Sequence, residues 1–517
     1  MRKLTLLLSS FILCSSVLAQ SVGELYSIAQ QNTGVSTSRS AAMGGAFTSL
    51  GADVSSITIN PAGMAMYQGN GAFSVTPSIN ITSTKSKSYT NNVYSSTQKD
   101  NTVAGGLNNI GFVYNVETNK GLLKNIAVGL GYNRNYSSKY TSIVNGLETD
   151  SSILDMFSAQ ATGYSSALVK NYDIGLSNYG ASGAYEVGLI FNSGTDYFPS
   201  FVNGDGEVVG SLIDGDLVTP QLIRFVEESS EDFNFALGFN INDKLYLGAT
   251  MGYTEYHSTL YDDYSEYASY TNSGDMDNML YSQTIYKDAV AFNFIFGATL
   301  QPMPGLRFGA SIQAPKIYYV QEEYQTYVLG EFYEGNSIGT YDAVSPLVYS
   351  EYKVKTPTRL NAGVSYACGN IAILSLDYER IWYNQIKMKE IGANSYLTDV
   401  TDEIKDTYKP TNNIRAGVEV NLPGGVMLRG GYSYYESALK DSDGNDYGAV
   451  QSISGGLGYR VRSFFVDLAY INTQTKATPF LMYDYYSPEY GQSFSSSCTS
   501  ETKLSNHNIL LTFGWRL

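Results

Sequence analysis

Alternation of apolar and polar positions is the dominant pattern along this chain. It recurs in segments of about ten residues, and the last segment shows it most clearly. There one parity is apolar and the other is polar or small: Ile509, Leu511, Phe513, Trp515 and Leu517 against Asn508, Thr512, Gly514 and Arg516. Because a β-strand places successive side chains on opposite faces, these segments predict strands with one apolar face.

Turn signals divide the alternating pattern into fourteen predicted strands. Short turns alternate with long polar stretches, of which 141–231 is the longest, as when short turns face the periplasm and long loops face outside. An even number of strands lets the sheet close without a free edge. We therefore predict an all-β fold, a 14-stranded antiparallel transmembrane β-barrel over 69–517; a soluble β-sandwich or solenoid is the alternative. The strands are predicted at 69–82, 105–116, 122–140, 232–241, 244–258, 288–301, 306–318, 358–367, 370–384, 411–422, 426–437, 448–461, 463–474 and 505–517.

Composition agrees with a barrel and excludes several other classes of protein. Charged residues make up only 15% of the chain, against about 25% in soluble domains, while tyrosine reaches 45 and glycine 50. The net charge of −16 repels phosphate backbones, so we expect no nucleic-acid partner. Two histidines and three cysteines leave little material for a metal site or for catalysis. We expect no cofactor, no metal and no enzymatic reaction.

The first 19 residues have the pattern of a secretory signal peptide. Arg2 and Lys3 precede an apolar run at 4–18, and Ala19 ends a small-residue cleavage site. A membrane anchor is the alternative. Export of a barrel predicts the outer membrane of a Gram-negative-type cell and insertion by the outer-membrane assembly machinery. The remaining cysteines, Cys368 in a predicted periplasmic turn and Cys498 in an outer loop, are too far apart to form a disulfide.

Residues 20–68 precede the first predicted strand and are rich in small residues. They include Gly44-Gly45 and the motif Asn60-Pro61-Ala62-Gly63, which begins with a turn signal. Small residues let one backbone pack closely on another. We predict that this segment is a plug, or hatch, inside the lumen; a disordered linker is the alternative.

The same segment resembles the N-terminal region of the FadL family, which transports long-chain fatty acids and other hydrophobic compounds. The resemblance rests on Arg39 with Met43-Gly44-Gly45-Ala46, on Gly51-Ala52-Asp53, and on Asn60-Pro61-Ala62-Gly63. It implies a hatch inside a fourteen-stranded barrel and a hydrophobic ligand that leaves sideways into outer-membrane lipid at a kinked third strand. Gly129 and Gly131 are the candidates for this kink, and ordinary barrel glycines are the alternative.

Two further groups of residues are candidates for ligand contact. Arg415, Arg429 and Arg460 have inward parity and could bind a carboxylate headgroup; alternatively, arginines and acids, with Glu419 and Asp467 available, brace the lumen. In the longest loop an apolar stripe predicts a helix behind a capping box at Ser152 and Asp155. Thr219-Pro220 predicts the start of a second one. The stripe consists of Leu154, Phe157, Ala161, Tyr164 and Leu168. Of these, Leu154, Phe157 and Leu168 form either an outer groove for the ligand or a lid on the barrel mouth.

The sequence therefore predicts an outer-membrane protein for the passive uptake of hydrophobic small molecules. Two alternatives stay open, a similar barrel that acts as a scaffold in outer-membrane protein secretion, and a general porin for polar solutes.

Overall fold

A computed structural model of the 517-residue chain describes most of the sequence. The described residues are 22–30, 36–90, 93–202, 208–209, 217–268, 276–334, 337–393, 397–440 and 445–517. The predicted signal peptide, residues 1–19, lies outside the described residues. No described helix is both long enough and apolar enough to cross a bilayer.

Fourteen antiparallel strands form one closed barrel, as predicted. The first strand pairs with the second and also with the last, from Ala72 opposite Arg516 to Tyr89 opposite Thr499, and this pairing closes the sheet. The strands are β1 (Gly71–Thr90), β2 (Gln98–Lys120), β3 (Leu123–Asn145), β4 (Val218–Ile241), β5 (Leu245–Ala268), β6 (Met276–Met303), β7 (Leu306–Gln313 and Ile317–Glu334), β8 (Val348–Lys355 and Arg359–Cys368), β9 (Ala372–Trp382), β10 (Pro410–Leu422), β11 (Val426–Tyr435), β12 (Val450–Val461), β13 (Phe464–Thr475) and β14 (Thr499–Arg516).

The barrel exposes its apolar face outward. On β6, Phe292, Phe294 and Phe296 are 63%, 41% and 53% exposed, whereas the intervening Asn293 and Ile295 are buried. The predicted alternation is confirmed in these strands. A closed sheet with an outward apolar belt and inward polar side chains is the architecture of outer-membrane β-barrels. In the bilayer, every backbone polar group of such a barrel must find its hydrogen-bond partner within the protein.

Several strands are longer than the sequence pattern predicts. β4 and β5 each have 24 residues, more than twice the roughly 9–11 that cross a bilayer. The helix predicted from Thr219-Pro220 is wrong, because these residues begin β4 and pair with β5. The spacing of apolar residues there fits a helix locally, but strand pairing on both sides decides the conformation.

Short helices before β1 and a folded outer lobe complete the described chain. The N-terminal helices are α1 (Val22–Ala29), α2 (Ser38–Ala42) and α3 (Ser56–Ile59), followed by a 3₁₀ helix at Pro61–Met66. The loop between β3 and β4 contains α4 (Ile153–Ala161), α5 (Ser166–Lys170), a 3₁₀ helix at Leu176–Asn178 and α6 (Tyr179–Glu186). The same loop has short strands at Ile190–Ser193, Asp196–Pro199, Phe201–Val202 and Val208–Val209. Elsewhere there are α7 (Thr398–Thr407), a 3₁₀ helix at Tyr383–Gln385, and short strands at Val93–Tyr94, Ser337–Val344, Lys387–Glu390, Pro479–Leu481, Asp484–Ser487 and Gln492–Ser495.

The predicted helix in the longest loop exists but is shorter than the apolar stripe that predicted it. Ser152 and Asp155 form the predicted capping box of α4. The helix ends at Ala161, because Gly163 adopts a positive φ of 92°, and Leu168 lies on α5 instead. Local spacing thus identified the helix, whereas the glycine determined where it stops.

The two cysteines of the barrel are not bridged. Cys368 is exposed at the end of β8, beside the short turn to β9, and Cys498 is buried immediately before β14. Both are free thiols, which agrees with the predicted topology.

Candidate functional site

Residues 36–67, called the plug below, pack against the inner face of the barrel wall. Their contacts fall on wall glycines: an added Cβ at Gly248 would overlap the backbone of Pro61 and Ala62, and one at Gly309 would overlap Thr48. Gly297 likewise faces Asn60, and Gly417 faces Met43. A glycine-lined wall lets the plug backbone approach the strand backbone without intervening side chains.

The motif Asn60-Pro61-Ala62-Gly63 lies where the plug meets β6 and β5. The Asn60 amide nitrogen donates to the Thr48 carbonyl at 2.6 Å, to the Ala298 carbonyl at 3.2 Å and to the Thr299 hydroxyl at 3.1 Å. Its side-chain oxygen accepts from the Ala62 backbone N–H at 3.2 Å and caps the 3₁₀ helix that Pro61 begins. Gly63 is buried, and its carbonyl accepts from the Ala52 N–H at 3.0 Å. The motif therefore holds two parts of the plug together, at Thr48 and Ala52, and attaches the plug to the wall.

A row of alternating charges, called the ladder below, attaches the plug to the wall at a second place, away from Asn60. It consists of Arg39, Glu419, Arg429 and Asp467. Arg39 donates from Nε and Nη2 to the Glu419 carboxylate at 2.8 and 3.0 Å. Arg429 donates to Glu419 at 2.6 Å and to Asp467 at 2.6 Å. The chain of alternating charges runs from the plug into β10, β11 and β13. For Arg429 the geometry matches the alternative prediction of a brace between arginines and acids.

The other two predicted lumen arginines have different surroundings. Arg415 is buried, donates to the side-chain Oδ1 of Asn361 at 2.7 Å and lies 3.8 Å from the Glu379 carboxylate. Arg460 is half-buried, has no ion pair with a described residue, and leaves its Nε without a hydrogen-bond partner. None of the three arginines borders the internal cavity described below. Their headgroup role stays a prediction from the sequence.

The barrel wall is interrupted between β2 and β3. The two strands pair from their turn up to Asn109 opposite Asn133, and there their pairing ends. Above that level residues 98–107 of β2 pair only with β1, and residues 136–145 of β3 pair only with β4. We call the space between these unpaired segments the lateral opening.

A β-bulge marks the residue at which β3 leaves β2. The register of β3 against β4 shifts between Arg134 and Tyr136, so that Asn135 is the extra residue. One extra residue reverses the strand's parity. Higher up, β3 lies against the inner face of β1, where Thr84 donates to the Thr141 carbonyl at 2.8 Å and Ser88 to the Asn145 carbonyl at 2.7 Å.

The predicted kink residues lie below this bulge. Gly129 and Gly131 are within the paired part of β3, and an added Cβ at either would contact Ile57 of the plug. Both glycines therefore make room for the plug, which fits the alternative prediction of ordinary barrel glycines. The irregularity in β3 is the bulge at Asn135 instead. The sequence signal that could have identified the bulge is Asn133-Arg134-Asn135, because asparagine is depleted in strands.

A cavity of about 430 Å³ lies inside the barrel beside the lower end of the lateral opening, where Asn108 of β2 and Asn135 of β3 line it. It is bordered by Tyr136 and Tyr140 of β3, by Ala41 and Gly44 of the plug, and by Tyr26 of α1. Most of the other lining residues are serine, threonine, asparagine or charged residues, placed between further tyrosines, although apolar atoms contribute the larger part of the cavity surface. The lining thus combines aromatic surface with hydrogen-bonding groups.

The first helix covers the cavity with aromatic rings. Tyr26 of α1 stacks on Tyr408 with ring centroids 4.9 Å apart, and it contacts Tyr383 at the same distance. Burial raises the pKa of Tyr26 and of Tyr408, so both hydroxyls stay protonated. The sequence pattern did not reveal this cluster, because its members lie in three separate loops and helices.

Arg134 reaches across the lateral opening. Its Nη2 donates to the Ser78 hydroxyl of β1 at 2.8 Å, and its guanidinium lies over Gly106 of β2, where an added Cβ would overlap it. Below it, Asn108 of β2 donates to the Ser36 carbonyl of the plug at 2.7 Å. The plug thus meets the lower edge of the opening, and Arg134 spans the gap itself.

The predicted outer groove is not open to solvent. Leu154 and Phe157 are buried in the core of the outer lobe, where the Phe157 ring meets that of Tyr281 edge-on at 5.1 Å. Leu168 is exposed on α5 and does not join them. Leu154 and Phe157 therefore fit the alternative prediction of a lid, whose α4 is fixed to the wall by Glu266, the acceptor of the Ile153 N–H at 2.7 Å.

Comparison with known proteins gives structural neighbours only. No protein-family profile and no curated protein sequence matches this chain. A FadL homologue from Pseudomonas aeruginosa superimposes with a TM-score of 0.55 at 11% identity, covering 94% of this chain and 98% of that one. The toluene transporter TodX from Pseudomonas putida gives a TM-score of 0.50 at 12% identity, covering 94% and 99%.

These findings define a class for the molecule. A closed, lipid-facing barrel with a plug against its inner wall is an outer-membrane β-barrel. At such low identities the likeness concerns the fold, and this chain has the FadL-type fold over nearly its whole length.

Proposed function

We propose that this barrel lets hydrophobic small molecules enter its lumen and leave sideways through the lateral opening into the outer membrane. The observation that carries the proposal is the loss of pairing between β2 and β3 above Asn109 and Asn133, next to a cavity lined by the adjoining Asn108, Arg134 and Asn135. In a membrane barrel unpaired strand edges are costly, so a persistent gap calls for a functional reason.

The position of the plug favours a sideways exit over an axial one. The plug is joined to the wall by the Asn60 hydrogen bonds and by the ion pair of Arg39 with Glu419, and it underlies the cavity. An apolar ligand that moves from the cavity to the bilayer avoids returning to water, and this transfer is favourable. Passage needs no energy source in this scheme.

The structural neighbours support the same class of ligand. TodX is a toluene transporter, and the Pseudomonas aeruginosa protein is a FadL homologue. We extend to this chain only the coarse property that they share, the transport of hydrophobic compounds. A general porin is less compatible with a plug that occupies the lumen, and a scaffold role would not require an opening in the wall.

Removal of the bulge tests the proposal. Deletion of Asn135 restores the parity of β3 and should let it pair with β2 along its upper half, which closes the opening. Uptake of labelled toluene or oleate should fall to the level of cells without the barrel. The control Asn135→Ala keeps the extra residue, and therefore the opening. Unchanged uptake by the deletion variant, with the barrel correctly folded, would contradict the lateral route.

A further inference from the structure

Three lysines form a row across the outside of the barrel, towards its extracellular end. Lys85 of β1 pairs on one side with Lys99 of β2 and on the other with Lys503 of β14. All three residues are exposed. Directly opposite side chains on adjacent strands have Cβ atoms about 4.5–5.5 Å apart, so three positive charges lie side by side. These residues are called the lysine row below.

The lysine row lies just beyond the apolar belt of the barrel. The outward positions of β1 are apolar or proline from Phe73 to Ile81, and Lys85 follows four residues after Ile81. Four residues of a strand rise about 13 Å, which is about 10 Å in height at the usual tilt of a membrane barrel. This height corresponds to the lipid headgroups, and flexible lysine side chains can reach down to them.

The lysine row has no ion pair with an acid among the described residues. Glu501, two residues from Lys503, pairs instead with Lys87 at 3.1 Å. Like charges directly opposite each other destabilise a sheet. Acidic residues outnumber lysine and arginine by 48 to 32 in this chain, yet none balances the row. An arrangement that costs stability by itself therefore indicates an anionic partner outside the protein.

We propose that the lysine row binds the phosphate group of a phosphorylated glycolipid in the outer leaflet of the outer membrane. Lysine binds phosphate as a point charge, with three N–H donors on each ammonium group. Below the row, Ile79 of β1 and Val103 of β2 are 48% and 65% exposed and offer apolar surface to the acyl chains of the same lipid. The row therefore matches both ends of such a molecule.

A lipid bound there connects three strands at a weak part of the wall. The pairing of β1 with β14 closes the barrel, and residues 98–107 of β2 pair only with β1. One phosphate held by Lys85, Lys99 and Lys503 links all three strands. The row faces away from the lumen, so this inference goes beyond the proposed transport and does not depend on it.

Three probes test the row: phosphorylated lipid A, dephosphorylated lipid A and inorganic phosphate. The full-length barrel is refolded into detergent micelles free of cellular lipid, and binding is titrated by native mass spectrometry. The wild type should bind phosphorylated lipid A about 100-fold more tightly than the dephosphorylated form, since each lysine at an anionic lipid surface contributes about fivefold. Millimolar inorganic phosphate should not displace the lipid; displacement would identify a site for free phosphate and overturn the lipid assignment.

The triple variant Lys85→Gln, Lys99→Gln and Lys503→Gln removes the row. Its affinity for phosphorylated lipid A should fall about 100-fold, to that of the dephosphorylated form, which should bind both proteins equally. A fall of less than about tenfold, or equal binding of the two lipids by the wild type, would overturn the proposal.

A second triple variant is the matched control for the change in charge. It combines Lys124→Gln, Lys139→Gln and Lys244→Gln. Lys139 pairs with Glu227 at 2.7 Å, and Lys124 and Lys244 lie beside the short turns at the other end of the barrel. This variant should bind phosphorylated lipid A as the wild type does; an equal loss of binding would show that only net charge matters and would overturn the site.

The thermal midpoint of unfolding, read from heat-modifiable mobility in gels, separates lipid binding from a structural role of the lysines. Without lipid A, the variant that lacks the lysine row should be at least as stable as the wild type, because repulsion between like charges is removed. Phosphorylated lipid A should raise the midpoint of the wild type and leave that of the variant unchanged. A lower midpoint of the variant without lipid would contradict the inference that the row needs an external partner.

Discussion

The ion pair between Arg39 and Glu419 is the contact by which the plug should be most easily released. Glu419 is buried and accepts hydrogen bonds from Arg39 at 2.8 and 3.0 Å and from Arg429 at 2.6 Å. The substitution Glu419→Gln keeps the side-chain size and removes the negative charge. It leaves two arginines to share Asp467, which only Arg429 contacts directly.

The expected loss of free energy of plug docking follows from the burial of the ion pair. Removal of one partner from a buried ion pair costs about 3–5 kcal/mol. The lower end applies here, because the Arg39 side chain is 13% exposed and Asp467 still balances part of the charge. A loss of about 3 kcal/mol multiplies the fraction of molecules with a released plug by about 100, since each 1.4 kcal/mol is tenfold.

Amide hydrogen exchange in α2 measures this fraction. Protection of the amides of Ser38–Ala42 should fall about 100-fold in Glu419→Gln, while the amides of β4 and β5 keep theirs. The control Glu501→Gln removes a half-exposed pair with Lys87, worth about 1 kcal/mol or less, and should leave α2 unchanged. If α2 protection in Glu419→Gln stays within about threefold of the wild type, the ladder does not hold the plug and the reasoning is refuted.

Further predictions concern the wall, the outer lobe and its pH dependence. Gly248→Ala places a methyl group against the backbone of the plug's 3₁₀ helix and should destabilise plug docking by about 1–3 kcal/mol, seen as faster exchange there; Gly105→Ala meets only an ordinary contact and should be neutral. Phe157→Ala should cost the lobe about 3–5 kcal/mol and make it sensitive to proteolysis in the folded barrel, whereas exposed Leu168→Ala should not. Burial raises the pKa of Asp155, so folded α4 holds its proton to higher pH than the unfolded segment does. The hydrogen-exchange protection factors of the α4 amides should therefore fall as the pH rises above the ordinary aspartate range, near 4. The substitution Asp155→Asn should abolish this pH dependence.

Local chemistry explains most of the fold that could be predicted from the sequence. Strict alternation in segments such as Phe292, Phe294 and Phe296 requires an extended strand with a lipid-facing side, and this property needs no knowledge of neighbours. The turn at Asn60-Pro61 and the capping box at Ser152 are likewise encoded within a few residues. The number of strands and their closure follow from these local signals, because open edges are excluded in a membrane.

The candidate site depended on contacts between distant parts of the chain. Parity could not decide whether Arg429 binds a ligand or pairs with Glu419, because it places the Arg429 and Glu419 side chains on the same inner face. The helix predicted at Thr219-Pro220 failed for a related reason, since pairing with β3 and β5 outweighs local spacing.

The sequence alone determined that this chain closes into a lipid-facing barrel and that residues before β1 are shaped for close packing, because periodicity and small side chains are local properties. Only the tertiary structure decided where the wall opens. Extra residues at Asn135 of β3 and at Asn108 of β2 lie at the level where the two strands stop pairing, and the missing hydrogen bonds involve a neighbouring strand that no local pattern can report.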